Sequence, residues 1–375
     1  MEEDSPIKEI LYDVIKQQYK GVNCSNEFNS ILESIKKKNT FTITTGHQLN
    51  LFTGPIYFLY KVLTTINLCD ELTQKYPKFN FIPVYWMATE DHDFKEINHF
   101  NFENSNIEWR SDQTGIVGEF STSKLNTVID EIKRIFPDNK NSNELISLFK
   151  NAYLKSDCLS DATRNFVHLL FRKYNLLIID GNHKDLKNSF RDFIKKEVKD
   201  SFIKKSSLST IKKLRKLDYK VQAHTRDVNL FYIDRNERKR IIKEKNYYLI
   251  EGSKNKLEEK NIIDSIENNP EKFSPNVLFR TIYQEYLLPN LCYIGGPAEV
   301  AYWLQLKKSF ESFKITLLTF FMLPIKKFFL GIPWPWFIFI ITIIGWYFGK
   351  LKLAKPCLIS THVAPASLVL LILLR

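Results

Sequence analysis

The sequence offers none of the short motifs that would name a chemistry outright. Its five cysteines (Cys24, Cys69, Cys158, Cys292 and Cys357) are scattered and form no CxxC pair. That excludes a disulfide scaffold and a zinc ribbon. There is no HExxH for a zinc protease, no GxxxxGK[ST] for a Walker-type phosphate loop, and no GxGxxG for a dinucleotide fold. The opening MEEDSPIKEI is acidic and lacks an apolar stretch, so it does not read as a signal peptide, and a cytoplasmic setting is expected. Acidic residues are missing from Phe313 to Arg375, where seven lysines and arginines stand. These seven account for more than half of the net charge of +12. The body of the chain therefore has only a mild basic excess, and nucleic acid is not expected as a partner.

What is present is a core. Hydrophobic residues make up 44% and aromatics 14% of 375 residues, enough for one large domain or two modest ones. Residues 6 to 37 have helical spacing, with Ile7, Ile10, Leu11, Val14 and Ile15 on one face, and residues 1–40 read as a helical segment. "FTITT" (41–45) is a strand. The glycine turn "GHQLNLFTGP" and the amphipathic helix "IYFLYKVLTTINLCDELTQKY" follow, and "FNFIPVYWMA" (79–88) is a second apolar strand. Strand, turn, helix, strand in that order is a βαβ unit with parallel pairing. "NLLIID" (175–180) and "NLCYIG" supply two more strands of the same kind. Residues 101–160, polar and asparagine-rich, and 203–275, lysine-rich with a hairpin in "NLFYIDRNERKRIIKEKNYYLIEG", read as two insertions. The expectation is an α/β fold: a Rossmann-like parallel-sheet core over 41–312, interrupted twice.

In such a sheet, ligands sit beyond the carboxyl ends of the strands. Four segments fall there: Gly46–Pro55, Glu90–Asp93, Asp180–His183 and Gly295–Glu299. Glu90, Asp91, His92 and Asp93 end a strand apolar enough to be buried, and such a cluster costs desolvation unless something polar engages it. The alternative is a solvated turn in which Asp93 caps the next helix. Gly46 and Gly54 permit close backbone approach ahead of a helix N-terminus, where Gln48 and Asn50 also lie and where His47 can stabilise a phosphate. Gly295 and Gly296 repeat the device, and Glu299 either caps its helix or binds a substrate amine. Arg280, a lone cation in "VLFRTIYQEYLLP", is a partner for a carboxylate or phosphate, or part of a structural salt bridge. No firm metal-ligand spacing is present; Mg²⁺ carried with a nucleotide is the compatible form.

"TTGHQLNLFTGPIYFLYK", "PVYWMATEDHDFKEINH" and "SPNVLFRTIYQEYLLPNLCYIGGPAEVAYWLQLK", with the "NLFYID" hairpin, resemble the bacillithiol biosynthesis cysteine-adding enzymes, the BshC family of cysteine ligases, over Ile7 to Phe313. The resemblance implies amide formation between cysteine and the amine of glucosaminyl-malate. It also implies a C-terminal helical coiled coil, with a homodimer through it; ATP is expected as co-substrate because a carboxylate does not acylate an amine in water without activation. On this likeness Gln48, Glu90, Asp91, His92, Asp93, Arg280, Gly295, Gly296 and Glu299 fall in the active-site cleft. Another adenylylating or nucleotidyl-transfer enzyme on the same fold, or an inactive or membrane-attached fragment, are the competing readings. The chain departs from the family pattern at its start, where a segment is expected to be missing, and after "YWLQLKKSFESFKIT". There the coiled coil gives way to an apolar tail, 313–375, of the composition a shifted frame or a fusion would give. Its uncharged run, Phe328 to Gly349, approaches the roughly 20 residues of a membrane span.

Overall fold

The computed structural model describes residues 6–317 except Asn104 and Asn236, together with the backbone of 319–322 and 340–341. The apolar run 328–349 thus lies outside the described residues apart from the backbone of Ile340–Ile341. Among the described residues, no helix is long and apolar enough to cross a membrane.

Helices Pro6–Gln18 and Asn26–Ser34 open the chain. Strand β1 (Thr40–His47) leads through a tight turn into helix Ile56–Lys75 and then β2 (Asn80–Met87). Beyond β2, β3 (His99–Phe102) and β4 (Ser105–Glu108) form a hairpin. Helices Asn126–Ile135, Lys140–Tyr153 and Leu159–Phe171 return the chain to β5 (Leu177–Asp180). Helices Lys184–Ser189, Arg191–Asp200 and Phe202–Lys216 precede the antiparallel strands β6 (Leu230–Asp234), β7 (Glu237–Lys243) and β8 (Tyr248–Ile250). β9 (Phe273–Pro275) pairs with β6. Helix Val277–Leu287, β10 (Asn290–Gly295), helix Pro297–Gln305 and β11 (Thr319–Met322) complete the order.

The main sheet runs β11-β10-β1-β2-β5 with every neighbouring pair parallel, and Ile340–Ile341 adds antiparallel to β11. Counted along the chain from the β5 side, the five parallel strands lie in the order 3-2-1-4-5, the doubly wound arrangement. The expected Rossmann-like core is what the chain builds. The order reverses between β1 and β10, so the switch point lies between Gly46–His47 on one side and Gly295–Gly296 on the other.

β1 can be buried on both faces because its threonine hydroxyls have partners. Thr42 and Thr44 donate to Asn290 Oδ1 at 3.1 and 2.9 Å, and Thr45 donates to the Ile294 carbonyl at 2.9 Å. A hydroxyl buried without a partner would cost about 1–3 kcal/mol. The stretch 101–160 reads as polar, yet its apolar minority is turned inward. Trp109, Ile129, Ile132, Phe149 and Tyr153 are all buried in the same core as β2 and β5. Phe52, in the turn after β1, joins them through ring contacts with Phe149 at 4.0 Å and Tyr153 at 4.8 Å.

At the outer edge of the sheet, β5 pairs with side chains instead of a further strand. The Gln18 amide donates to Asp180 O at 2.8 Å and accepts from Asp180 N at 3.0 Å. Two residues back, Ile178 N donates to the Tyr19 hydroxyl at 3.0 Å.

Candidate active site

Because β1, β2, β5 and β10 are parallel, all four segments picked from the sequence lie at one edge of the sheet. They form two groups there, joined through His47 and Gln48 at the end of β1.

The first group surrounds the switch point. Glu299 sits in the first turn of helix Pro297–Gln305, and its Oε2 accepts from Gly296 N at 2.8 Å, the one half of a capping box that a glycine N-cap allows. The same carboxylate accepts from the Tyr293 hydroxyl at 2.7 Å and pairs with Lys61 Nζ at 2.7 Å. Burial alone would raise Glu299. The Lys61 charge, the Gly296 N–H and the Tyr293 hydroxyl outweigh it and hold the group below the usual carboxylate range. Of its two sequence roles, cap and amine ligand, the structure therefore fills the cap. Lys61, from the second turn of helix Ile56–Lys75, also donates to the Gly46 carbonyl and ties that helix to the end of β1.

Arg280 reaches the same place from helix Val277–Leu287. Its Nη1 donates to Gln284 Oε1 at 3.0 Å. A Cβ added at Gly46 would lie 3.6 Å from that nitrogen and 2.9 Å from the Tyr293 hydroxyl, so glycine lets β1 end against them. Gly296 is held closer still: an added Cβ would meet the Tyr57 hydroxyl at 2.2 Å. Gly54 has φ +56°, a left-handed value, and packs on the Asn50 side chain. Asn50 is buried and donates to Glu96 O at 3.3 Å. His47 stacks on Phe58, centroids 5.3 Å apart. Burial, with the Lys61 charge, pushes it down to about 3, so its ring is neutral at any ordinary pH. Among the described residues the buried His47 Nε2 and Tyr57 hydroxyl have no hydrogen-bond partner.

The second group follows β2. Gln48 donates its amide to Asp91 Oδ2 at 2.9 Å and to Glu96 Oε2 at 2.7 Å. Asp91 Oδ1 accepts from His92 N at 2.7 Å and Asp93 N at 3.4 Å. Burial would raise Asp91, but the Gln48 amide, the His92 N–H and the nearby Arg238 charge outweigh it and hold the carboxyl low. Glu90 pairs with Lys187, a buried lysine that also donates to Glu271 O at 3.1 Å. Asp180, at the end of β5, accepts from Thr89 Oγ1 and from Asn182 N. Asp93 is exposed, as a solvated turn would have it, and stands at the start of the short helix Phe94–Ile97 without making a side-chain cap bond. His92, exposed, has Nδ1 3.3 Å from Arg238 Nη1 and 3.8 Å from Asp91 Oδ1.

Besides Arg280, three further cations stand at this edge that sequence reasoning missed: Lys61, Lys187 and Arg238. Lys61 carried a usable signal, a lysine within the apolar run "IYFLYKVL". The other two sit in lysine- and arginine-rich stretches where nothing local separates a buried cation from a solvated one. Among the described residues, no group of three or more histidine, cysteine or acidic side chains is placed to hold a metal ion by itself.

Residues 1–323 match the family model described as bacillithiol biosynthesis BshC, N-terminal Rossmann-like domain. The chain belongs to this family. It is 48% identical over 306 residues to a protein of Flavobacterium johnsoniae named "Putative cysteine ligase BshC", covering 82% of this chain and 58% of that protein. Proteins of the same name in Flavobacterium psychrophilum and Chlorobaculum tepidum are 46% and 27% identical, over 82% and 83% of this chain and 58% and 57% of their own lengths. The chain thus spans somewhat under three fifths of the BshC relatives it matches.

Proposed function

We propose that this chain carries the Rossmann-like part of a cysteine ligase of bacillithiol biosynthesis, joining cysteine to the amine of glucosaminyl-malate. The observation that carries the reading is Asp91. It is a half-buried carboxylate held ionised at the carboxyl edge of the sheet, one strand away from the switch point and linked to it through Gln48. Family membership and the names of the relatives point the same way.

Amide formation in water needs an activated carboxyl, and ATP is the co-substrate proposed, with Mg²⁺ carried on its phosphates. Attack by the amine forms the C–N bond as the bond from the acyl carbon to the phosphorus-bearing oxygen breaks. One amine proton leaves for a base of the 90–93 loop, either Asp91 or His92. Gly46, Gly54, Gly295 and Gly296 let the backbone approach the leaving phosphate. Arg280 supplies positive charge there, and Asn50 and His47 shape the loop that bears Gln48. Asp93 places an exposed carboxylate at the entrance, which favours an ammonium group, while Glu90, paired with Lys187, holds the loop in place.

Mass spectrometry of the products formed by the purified chain with cysteine, glucosaminyl-malate and ATP tests the proposal. Bacillithiol is the expected product, and Asp91→Asn is expected to lower its rate by two orders of magnitude or more. ATP consumption only with a different acid, or nucleotide binding without any turnover, would overturn it.

A further inference from the structure

The proposed reaction leaves two candidates for the base, and the surroundings of His92 choose between them. Arg238 lies on β7, in the antiparallel sheet built from the second interruption of the core. Its guanidinium is fixed by three contacts there. Nε donates to Ser274 Oγ at 2.9 Å, Nη2 donates to Pro275 O at 2.8 Å, and the plane covers the Phe231 ring with Cζ 4.0 Å from the centroid. The remaining nitrogen, Nη1, faces His92 Nδ1 at 3.3 Å. The His92 ring lies beside the same phenylalanine, centroids 5.8 Å apart.

A guanidinium has N–H donors and no acceptor. For this contact to be a hydrogen bond, Nδ1 must present its lone pair. In a neutral imidazole with Nδ1 bare, the single hydrogen is on Nε2. Asp91 Oδ1 is the competitor for the same face of the ring. It lies farther off, at 3.8 Å, and it already accepts two backbone N–H groups. Arg238 thus occupies one ring nitrogen and a hydrogen occupies the other.

We infer that Arg238 is a positioning residue that holds His92 as the Nε2–H tautomer, so that His92 offers the site a hydrogen-bond donor and Asp91 is left as the group that accepts the amine proton. The inference rests on the proposed ligase reading for the word amine. The tautomer does not depend on it. Asp91 has the capacity required: each carboxylate oxygen can accept two hydrogen bonds, and Oδ2 has only the Gln48 amide among the described residues. The arrangement also gives the second interruption a role, since its sheet delivers the guanidinium that meets His92 in the loop after β2.

The test is nitrogen NMR of the full chain labelled with ¹⁵N-histidine, with the His92 signals assigned by their loss in His92→Gln. At neutral pH the expected spectrum shows His92 Nε2 bearing the hydrogen and Nδ1 bare. In Arg238→Met the Nδ1 signal should move towards its protonated position, as the ring turns to Asp91. Arg238→Lys, which keeps a donor, should restore the wild-type pattern at least in part. Thermal melts of both variants separate this from simple unfolding. A hydrogen on Nδ1 in the wild type, or a His92 signal indifferent to Arg238→Met in a folded protein, would overturn the inference. Because the readout needs no turnover, absence of ligase activity would strike the functional reading and leave this result standing.

Discussion

At the scale of single residues, the two ends of the sheet hold titratable groups with opposite acid–base demands. His47 is kept neutral by burial and by Lys61, at about 3 against an ordinary value of 6.5. The unfolded chain takes up this proton first, so the stability His47 contributes is present above pH 6.5 and is lost as the pH falls towards 3. His47→Gln removes that uptake. Its unfolding free energy in urea should fall less steeply between pH 7 and 4 than that of the wild type, and parallel slopes would show the ring to be solvated. Glu285, near the amino end of β10, is raised by burial to about 8 even though Asn290 and Gln284 donate to it. Here the folded state holds the proton. Stability is greatest below pH 4.5 and declines as the pH rises through 8. Glu285→Gln should therefore stabilise the protein at pH 8, by about 1–3 kcal/mol, and have little effect at pH 4. Equal effects at both pH values would contradict the shift.

At the scale of elements, the Lys61–Glu299 pair joins helix Ile56–Lys75, helix Pro297–Gln305 and the end of β1. Removing one partner of a buried pair leaves the other charge uncompensated, which costs about 3–5 kcal/mol. Lys61→Met should show a loss of that order. The double variant Lys61→Met/Glu299→Gln should lose clearly less than the sum of the single losses, read by a denaturation cycle; simple additivity would mean the pair is not coupled. The sequence disclosed the βαβ units because strands buried on both faces are written as uninterrupted apolar runs, as in "FIPVYWM". It disclosed Glu90–Asp93 because a charged cluster directly after such a run has few places to go. It did not disclose how Glu299 and Lys61 divide their bonds. The two residues are 238 positions apart, and only the closed sheet brings them together. Residues 101–160 looked peripheral for a related reason. Their asparagines and lysines take the outward positions of short helices, and the sparse apolar residues between them become core only when Phe52 arrives from another part of the chain.

At the scale of the whole molecule, cooperativity should follow the sheet. β1 and β2 are each paired on both sides, whereas the β6–β9 sheet is smaller and borders solvent at several positions. Amide hydrogens of Ile43 and Val84 should be among the last to exchange, and those of Ile241 and Ile242 earlier. The reverse order in a native-state exchange experiment would show that the two sheets do not open in this hierarchy. The outer strand β5 poses a separate question, because an unpaired strand edge is a template for other chains. Gln18 presents one carbonyl and one N–H to Asp180 in the way a peptide unit would, and Tyr19 meets the outward amide two residues away. Among the described residues, two side chains at the end of the first helix thus take the place beside β5 that a neighbouring strand would hold. The first helix acts as a stopper on the sheet. Its undocking would leave β5 open to a copy of itself, and Gln18→Ala should turn a concentrated sample towards self-association detectable by light scattering while the dilute protein stays folded.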